Sequence, residues 1–136
     1  MTAPDGATVP DGFTLLEEGG PFIDLVGPVY ARGEGAERVL ALRIEDRHRN
    51  IAGKAHGGLL ATLVDFSLGR AVAEADAAGV TVSLTTDYLK AVEAGDWVEA
   101  HTEVEKAGET LAFADCSLTV DGREVVRARA VFAVAG

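Results

Sequence analysis

The sequence predicts an α+β domain in which a curved antiparallel sheet wraps around one long helix. Three observations lead there. The one long helical stretch, about Gly57 to Ala77, carries Leu59, Leu60, Leu63, Val64, Phe66, Leu68, Ala71 and Val72 in nearly every direction around its axis, the mark of a buried helix. Four β-rich segments follow it, separated by Gly95-Asp96, Ala107-Gly108 and Asp121-Gly122, the last a strong tight-hairpin signal. Two further strand patterns precede it. One helix can cover only one face of such a sheet, so the outer face is expected to meet solvent or a second subunit.

The elements follow in order. Residues 1–20 read as a flexible N-terminal tail, punctuated by Pro4, Gly6, Pro10 and Gly12, and residues 21–136 as a single domain. Phe22, Ile23, Leu25 and Val26 form a short helical turn or an extended segment before Gly27-Pro28. Val29 to Arg32 and Arg38 to Glu45 are strands about the Gly33-Glu34-Gly35 turn. In the second, Val39, Ala41 and Arg43 alternate with Leu40, Leu42 and Ile44. Asp46 to Lys54 is a polar, basic loop. After the helix, strands are predicted over Val80–Lys90, Trp97–Lys106, Thr110–Val120 and Arg123–Val134, as an antiparallel meander.

Composition narrows the function. With 136 residues the chain is one domain. Twelve basic against 22 acidic residues, net −10, argue against a nucleic-acid or membrane-surface partner. A few local cations can still hold an anionic small ligand. No apolar run reaches the roughly 18 residues of a membrane span. The first twelve residues lack the basic and apolar regions of a secretion signal, so the expected location is cytoplasmic. The single cysteine, Cys116, reads as a buried small hydrophobe, and no residues have metal-ligand spacing.

The chemistry concentrates in N-I-A-G-K-A-H-G-G-L-L-A-T-L-V-D, Asn50 to Asp65. His56-Gly57-Gly58 opens the buried helix. The first amides of a helix have no internal acceptor, and glycine lets a ligand approach them, which makes an oxyanion site. The same glycines also serve tight packing of the helix start against the sheet. Asp65 lies in mid-helix among Ala61, Thr62, Leu68 and Gly69, none of them a cation. It is either a base or nucleophile in a pocket, or a carboxylate on an exposed sliver. Gly57 and Asp65 are eight residues apart, about 12 Å at 1.5 Å per residue. One ligand carbonyl cannot be held at Gly57 and touch Asp65 of the same helix. If both serve one site, that site is shared between two subunits.

The pattern N-x-x-G-x-x-H-G-G-x-x-x-x-x-x-D resembles the phenylacetate-degradation (PaaI-like) branch of hotdog-fold acyl-CoA thioesterases. V-T-V-S-L-T-T-D-Y-L-K-A-V-E-A-G-D, Val80 to Asp96, is similar to that family's strand after the helix. The resemblance spans roughly residues 21–135. It implies a hotdog fold, a homodimer joined sheet edge to sheet edge, commonly paired into a homotetramer, and an acyl-CoA substrate with no separate cofactor. Gly57 would donate its N–H to the thioester carbonyl. Asn50 would orient that carbonyl or the water, and His56 would hold the loop and Asn50. From the other subunit, Asp65 would be nucleophile or general base, and Thr81 would hydrogen-bond the attacking water. Ser83, two residues on and expected on the same strand face, is the alternative to Thr81. Gly58 adjoins the carbonyl site. Lys90 could meet the coenzyme A phosphates or stand solvated, and Arg47, Arg49 and Lys54 form a basic patch that hints at nucleotide phosphate.

Other residues read as structural. Arg123, Arg127 and Arg129 belong to sheet face or subunit contacts, Trp97 to packing, and His48 and His101 to the surface without partners. The leading function is hydrolysis of an acyl-CoA to a free acid and coenzyme A. A non-catalytic acyl-CoA or acyl-ligand binding hotdog is the alternative. A dehydratase ranks below both, because His56 sits in the oxyanion loop. The acyl group, aromatic or medium-chain, is not defined by the residues.

Overall fold

The computed structural model describes residues 8–75, 77 and 79–134. In chain order they form β1 (Thr14–Leu15), α1 (Pro21–Val26), β2 (Tyr30–Arg32), β3 (Val39–Arg43), α2 (Gly57–Glu74), β4 (Gly79–Tyr88), β5 (Trp97–Ala107), β6 (Leu111–Val120) and β7 (Arg123–Val134), with 3-10 turns at Gly35–Glu37 and Asp46–His48. The seven strands make one antiparallel sheet in the order β1-β2-β3-β5-β6-β7-β4. The expected sheet around one long helix is what the chain builds, but the four strands after the helix are not one meander: β5, β6 and β7 follow one another, whereas β4 pairs with β7 at the edge and β5 pairs with β3.

Alternation sets the two faces. On β7, Val126, Ala128, Ala130 and Phe132 are buried inward while Arg127 and Arg129 point out. Ala112, Ala114, Cys116 and Leu118 do the same on β6. Against this inner face α2 lays Leu60, Leu63, Val64, Leu68 and Val72, with Val64, Leu68 and Val72 fully buried. Burying side chains of this kind contributes about 1.5–3 kcal/mol each. The β6–β7 hairpin turns through Asp121 and Gly122, both at positive φ (51° and 78°), the two-residue turn whose twist matches the strands.

Burial of α2 is one-sided among the described residues. Ala61, Thr62, Asp65, Phe66, Gly69 and Arg70 stay half-exposed. The all-round apolar pattern therefore serves the sheet on one side and leaves a second apolar side uncovered. Beside it lies β4, an edge strand with Val80 73% and Val82 60% exposed.

The N-terminal stretch differs from expectation. Residues 1–7 of the expected tail lie outside the described residues. From residue 8 the chain packs: Val9 and Phe13 are buried with Tyr30, Val39 and Ala41 in a second cluster on the outer sheet face, and β1 pairs with β2. Trp97 meets Phe13 edge-on at 5.2 Å between ring centroids. Part of the outer face is thus covered by the chain's own N-terminal segment. Gly and Pro there mark turns within a packed strap, a distinction that depends on contacts with strands distant in sequence.

Candidate active site

Asn50 begins the loop before α2. Its Oδ1 accepts from the N–H groups of Ala52 (2.9 Å) and Lys54 (3.1 Å), and its own N–H donates to the Lys54 carbonyl (2.7 Å). The carbonyl end of the side chain fixes the turn, which leaves the NH2 end for a ligand. His56 caps α2. Its Nδ1 accepts from Gly58 N–H at 2.9 Å and its N–H donates to the His48 carbonyl. His56 thereby holds the loop through His48 and the helix start, with no bond to the Asn50 side chain.

The cap divides the two glycine amides. Gly58 N–H is spent on His56, whereas Gly57 N–H donates to nothing among the described residues and remains at the positive end of α2. Tyr88 Oη donates to the Gly57 carbonyl at 2.7 Å, and its ring lies 3.4 Å from where a Cβ on Gly57 would stand. Tyr88 therefore fixes the Gly57–Gly58 peptide, the one directly after the uncommitted Gly57 amide. Sequence reasoning missed this role, and nothing in the sequence signals it, since the contact spans 31 residues.

Asp65 is half-buried and accepts a 2.6 Å hydrogen bond from Thr81 Oγ1 of the same chain. Both line a cavity of about 510 Å3 between α1, α2 and β4, with Phe22, Ile23, Phe66 and Leu84 as apolar walls and Gly58 at its edge.

Thr81 and Ser83 do not share a face. Thr81 pairs with the buried Phe132, whereas Ser83 pairs with Val131, so a bulge at Val82 breaks the alternation. Cross-strand partners point the same way. Thr81 therefore faces α2, and Ser83 faces outward toward Thr85, Phe113 and Arg129. The expectation of a shared face is corrected: simple period-two counting fails across one extra residue.

The basic patch is largely committed. Arg47 donates to the carbonyls of Leu25 (2.6 Å) and Gly27 and lies 3.4 Å from Glu45. Arg49 is 3.8 Å from Asp46, and Lys54 pairs with Glu93, whose carboxyl it holds below the usual range. Lys90 is exposed and makes no ion pair among the described residues. His48 is buried rather than at the surface: its Nδ1 accepts from Glu45 N–H (2.9 Å) and its Nε2–H donates to Val26 O (2.6 Å). Burial lowers its pKa, and the nearby Arg47 adds to that, against opposing contributions from the Val26 bond and Glu45. Arg47 and His48 together clasp the end of α1 to the loop that bears Asn50. His101, also expected without a partner, lies 3.3 Å from Glu99. Cys116 is buried, and burial pushes its thiol up to about 12. No group of metal-ligating residues is present among the described residues.

A family model described as the thioesterase superfamily matches residues 52–127, more than half of the chain and a span that includes His56, Gly57, Asp65 and Thr81. The chain belongs to the thioesterase superfamily. It is 44% identical over 128 residues to a Pseudomonas aeruginosa protein named Putative esterase PA0474, covering 91% of this chain and 96% of that one. It is 35% identical over 83 residues to acyl-coenzyme A thioesterase 13 of Mus musculus, covering 60% of this chain and 59% of that protein. Among solved structures, a hypothetical thioesterase protein with coenzyme A from Streptococcus pneumoniae superposes with TM-score 0.74 at 30% identity, over 79% of this chain and 89% of that one. The fold likeness extends to the phenylacetic acid degradation protein PaaI of Thermus thermophilus, TM-score 0.78 at 24% identity, over 85% of this chain and 99% of that one. The resemblance read from the Asn50–Asp65 motif thus holds at the level of family and fold.

Proposed function

We propose that this thioesterase hydrolyses an acyl-CoA to a free acid and coenzyme A, in a site built from two copies of the chain. The carrying observation is the split between an uncommitted Gly57 amide at the start of α2 and an Asp65–Thr81 pair about two turns along the same helix. The exposed side of α2 and the unpaired β4 edge give a second copy somewhere to dock, since an open strand edge with exposed Val80 and Val82 invites pairing. The likeness to an acyl-coenzyme A thioesterase and to a thioesterase solved with coenzyme A supports the substrate class.

In this reading the thioester carbonyl accepts from Gly57 N–H, with the Asn50 amide beside it. Asp65 of the second copy takes a proton from water as the water oxygen bonds to the carbonyl carbon. The oxyanion collapses, the carbon–sulfur bond breaks, and coenzyme A leaves as its thiolate, which needs no strong general acid. Thr81 occupies Asp65 Oδ1 and leaves Oδ2 for the proton, while remaining placed to meet the water. Lys90, which makes no ion pair among the described residues, is free to meet the coenzyme A phosphates, with Arg49 and Lys54 able to exchange their exposed carboxylates for them. Neither a separate cofactor nor a metal is needed for these steps, and in this reading the enzyme is cytoplasmic, with local cations holding the anionic substrate against a net charge of −10. Two such dimers would make the tetramer.

A mixing experiment tests the shared site. Asp65→Asn and Asn50→Ala chains, each inactive alone on a panel of aromatic and straight-chain acyl-CoAs, are co-refolded. A shared site gives heterodimers with one intact centre and restores turnover. Failure to restore it in confirmed heterodimers sinks the arrangement, and ligand binding without cleavage by the unaltered chain sinks the hydrolase reading in favour of a binding protein.

A further inference from the structure

A second cavity, of about 450 Å3, opens on the other side of α2. Ser67 lies two residues past Asp65, hence about 200° around the helix axis. The cavity runs between the C-terminal half of α2, the Gly35–Glu37 turn and β3–β5. Its walls are apolar: Leu40 and Ala100 are buried, and Ala71 and Val104 half-buried.

Two polar atoms in this lining are buried without a partner. Ser67 Oγ, in a residue only 3% exposed, reaches no acceptor among the described residues, and neither does Arg38 Nε. A buried donor left unpaired costs about 1–3 kcal/mol, so each requires an account. Arg38 meets Glu74 only through its outer nitrogen, at 3.5 Å. Arg70, also in the lining, stands 5.9 Å from the Phe66 ring and makes no ion pair among the described residues. The acids of the lining, Glu74, Glu103 and Glu105, are all exposed and belong to the mouth. The interior thus offers hydrogen-bond donors and apolar walls.

We propose that this cavity is a second ligand site, taking a small amphipathic carboxylic acid whose tail lies on Leu40, Ala71, Ala100 and Val104 and whose carboxylate accepts from Ser67 and Arg38. Water could satisfy the donors, but it would leave the apolar walls uncovered. A free acid is also what a thioesterase releases, so the ligand class includes its product. The cavity is lined by neither Asp65 nor Thr81, so its occupancy stands apart from hydrolysis.

Sodium octanoate titrated into the Asp65→Asn protein, followed by calorimetry and by methyl NMR of Leu40 and Val104, tests the site. Expected are saturable binding, shifts at those methyls, and much weaker binding of octan-1-ol. Ser67→Ala lowers octanoate affinity about tenfold, the scale of one hydrogen bond to a charged group, and leaves turnover in the otherwise unaltered enzyme unchanged. Ala71→Leu fills the cavity and abolishes binding. Should that variant fail to fold, Ser67→Ala carries the test. No binding in the millimolar range, shifts confined to the Phe22–Leu84 side, equal binding of octan-1-ol, or affinity indifferent to Ser67→Ala would each overturn the proposal. So would a crystal structure at saturating octanoate that shows only water on Ser67.

Discussion

Thr81 donates a 2.6 Å hydrogen bond to Asp65, joining the strand after α2 to the middle of the helix. The bond holds one carboxylate oxygen, and both residues line the same cavity. Replacing Asp65 with Asn keeps the acceptor for Thr81 but removes the proposed base. Turnover should fall about 10²–10⁴-fold with the oligomer intact. Thr81→Val should cost less, about tenfold, and Ser83→Ala should cost nothing, because the bulge turns Ser83 to the outer face. Steady-state kinetics on the three variants checks the order, and a Ser83→Ala loss matching that of Thr81→Val would refute it.

Tyr88→Phe removes the hydrogen bond to the Gly57 carbonyl and retains the ring against Gly57. Stability should drop by about 1 kcal/mol, read from urea unfolding. With the Gly57 peptide less fixed, kcat should fall more than KM rises. An unchanged kcat would mean that Tyr88 serves the fold alone.

Arg47 tells apart two roles for one cation. Its bonds to Leu25 and Gly27 make it an anchor of α1, whose Phe22 and Ile23 wall the cavity at Asp65. Arg47→Ala should therefore impair hydrolysis of a short acyl-pantetheine thioester, which has no nucleotide, as much as that of the acyl-CoA. Lys90→Ala should impair only the acyl-CoA. A selective acyl-CoA defect in Arg47→Ala would return Arg47 to phosphate binding.

His48 makes stability depend on pH. Its pKa is lowered in the folded protein, chiefly by burial, so the unfolded chain binds more protons below the ordinary value near 6.5. The neutral ring's contribution is complete above that value and is lost as pH falls toward the folded pKa. Between pH 7.5 and 5 the Tm of the natural chain should fall more steeply than that of His48→Gln; parallel curves would show that His48 does not drive the loss.

Much of the fold was legible because it is local. The helix start at Gly57, the strands at 97–107 and 123–134, and the Asp121-Gly122 turn follow from periodicity and turn chemistry. The motif also led to Gly57 and Asp65, since a carboxylate in an apolar helix is conspicuous in any sequence. The illegible parts depend on distant contacts. Val9 and Phe13 lie between glycines and prolines and become core only against Tyr30, Ala41 and Trp97. His48 looks like a surface residue of a basic loop until the α1 carbonyls come to meet it. The Val82 bulge leaves no mark in a run of Thr, Val and Ser, though it decides which hydroxyl faces the carboxylate.

That bulge makes the molecule sensitive to register at one point. Were Val82 drawn into the ladder, alternation along β4 would run unbroken through every residue, and whichever side of Val82 kept its pairing, the other would be turned over. Either Thr81 would leave Asp65, or Leu84, Thr86 and Tyr88 would swing outward and take the clamp on Gly57 with them. Removing Val82 altogether would instead leave both sides on their present partners, so the strand tolerates the loss of this residue better than its pairing.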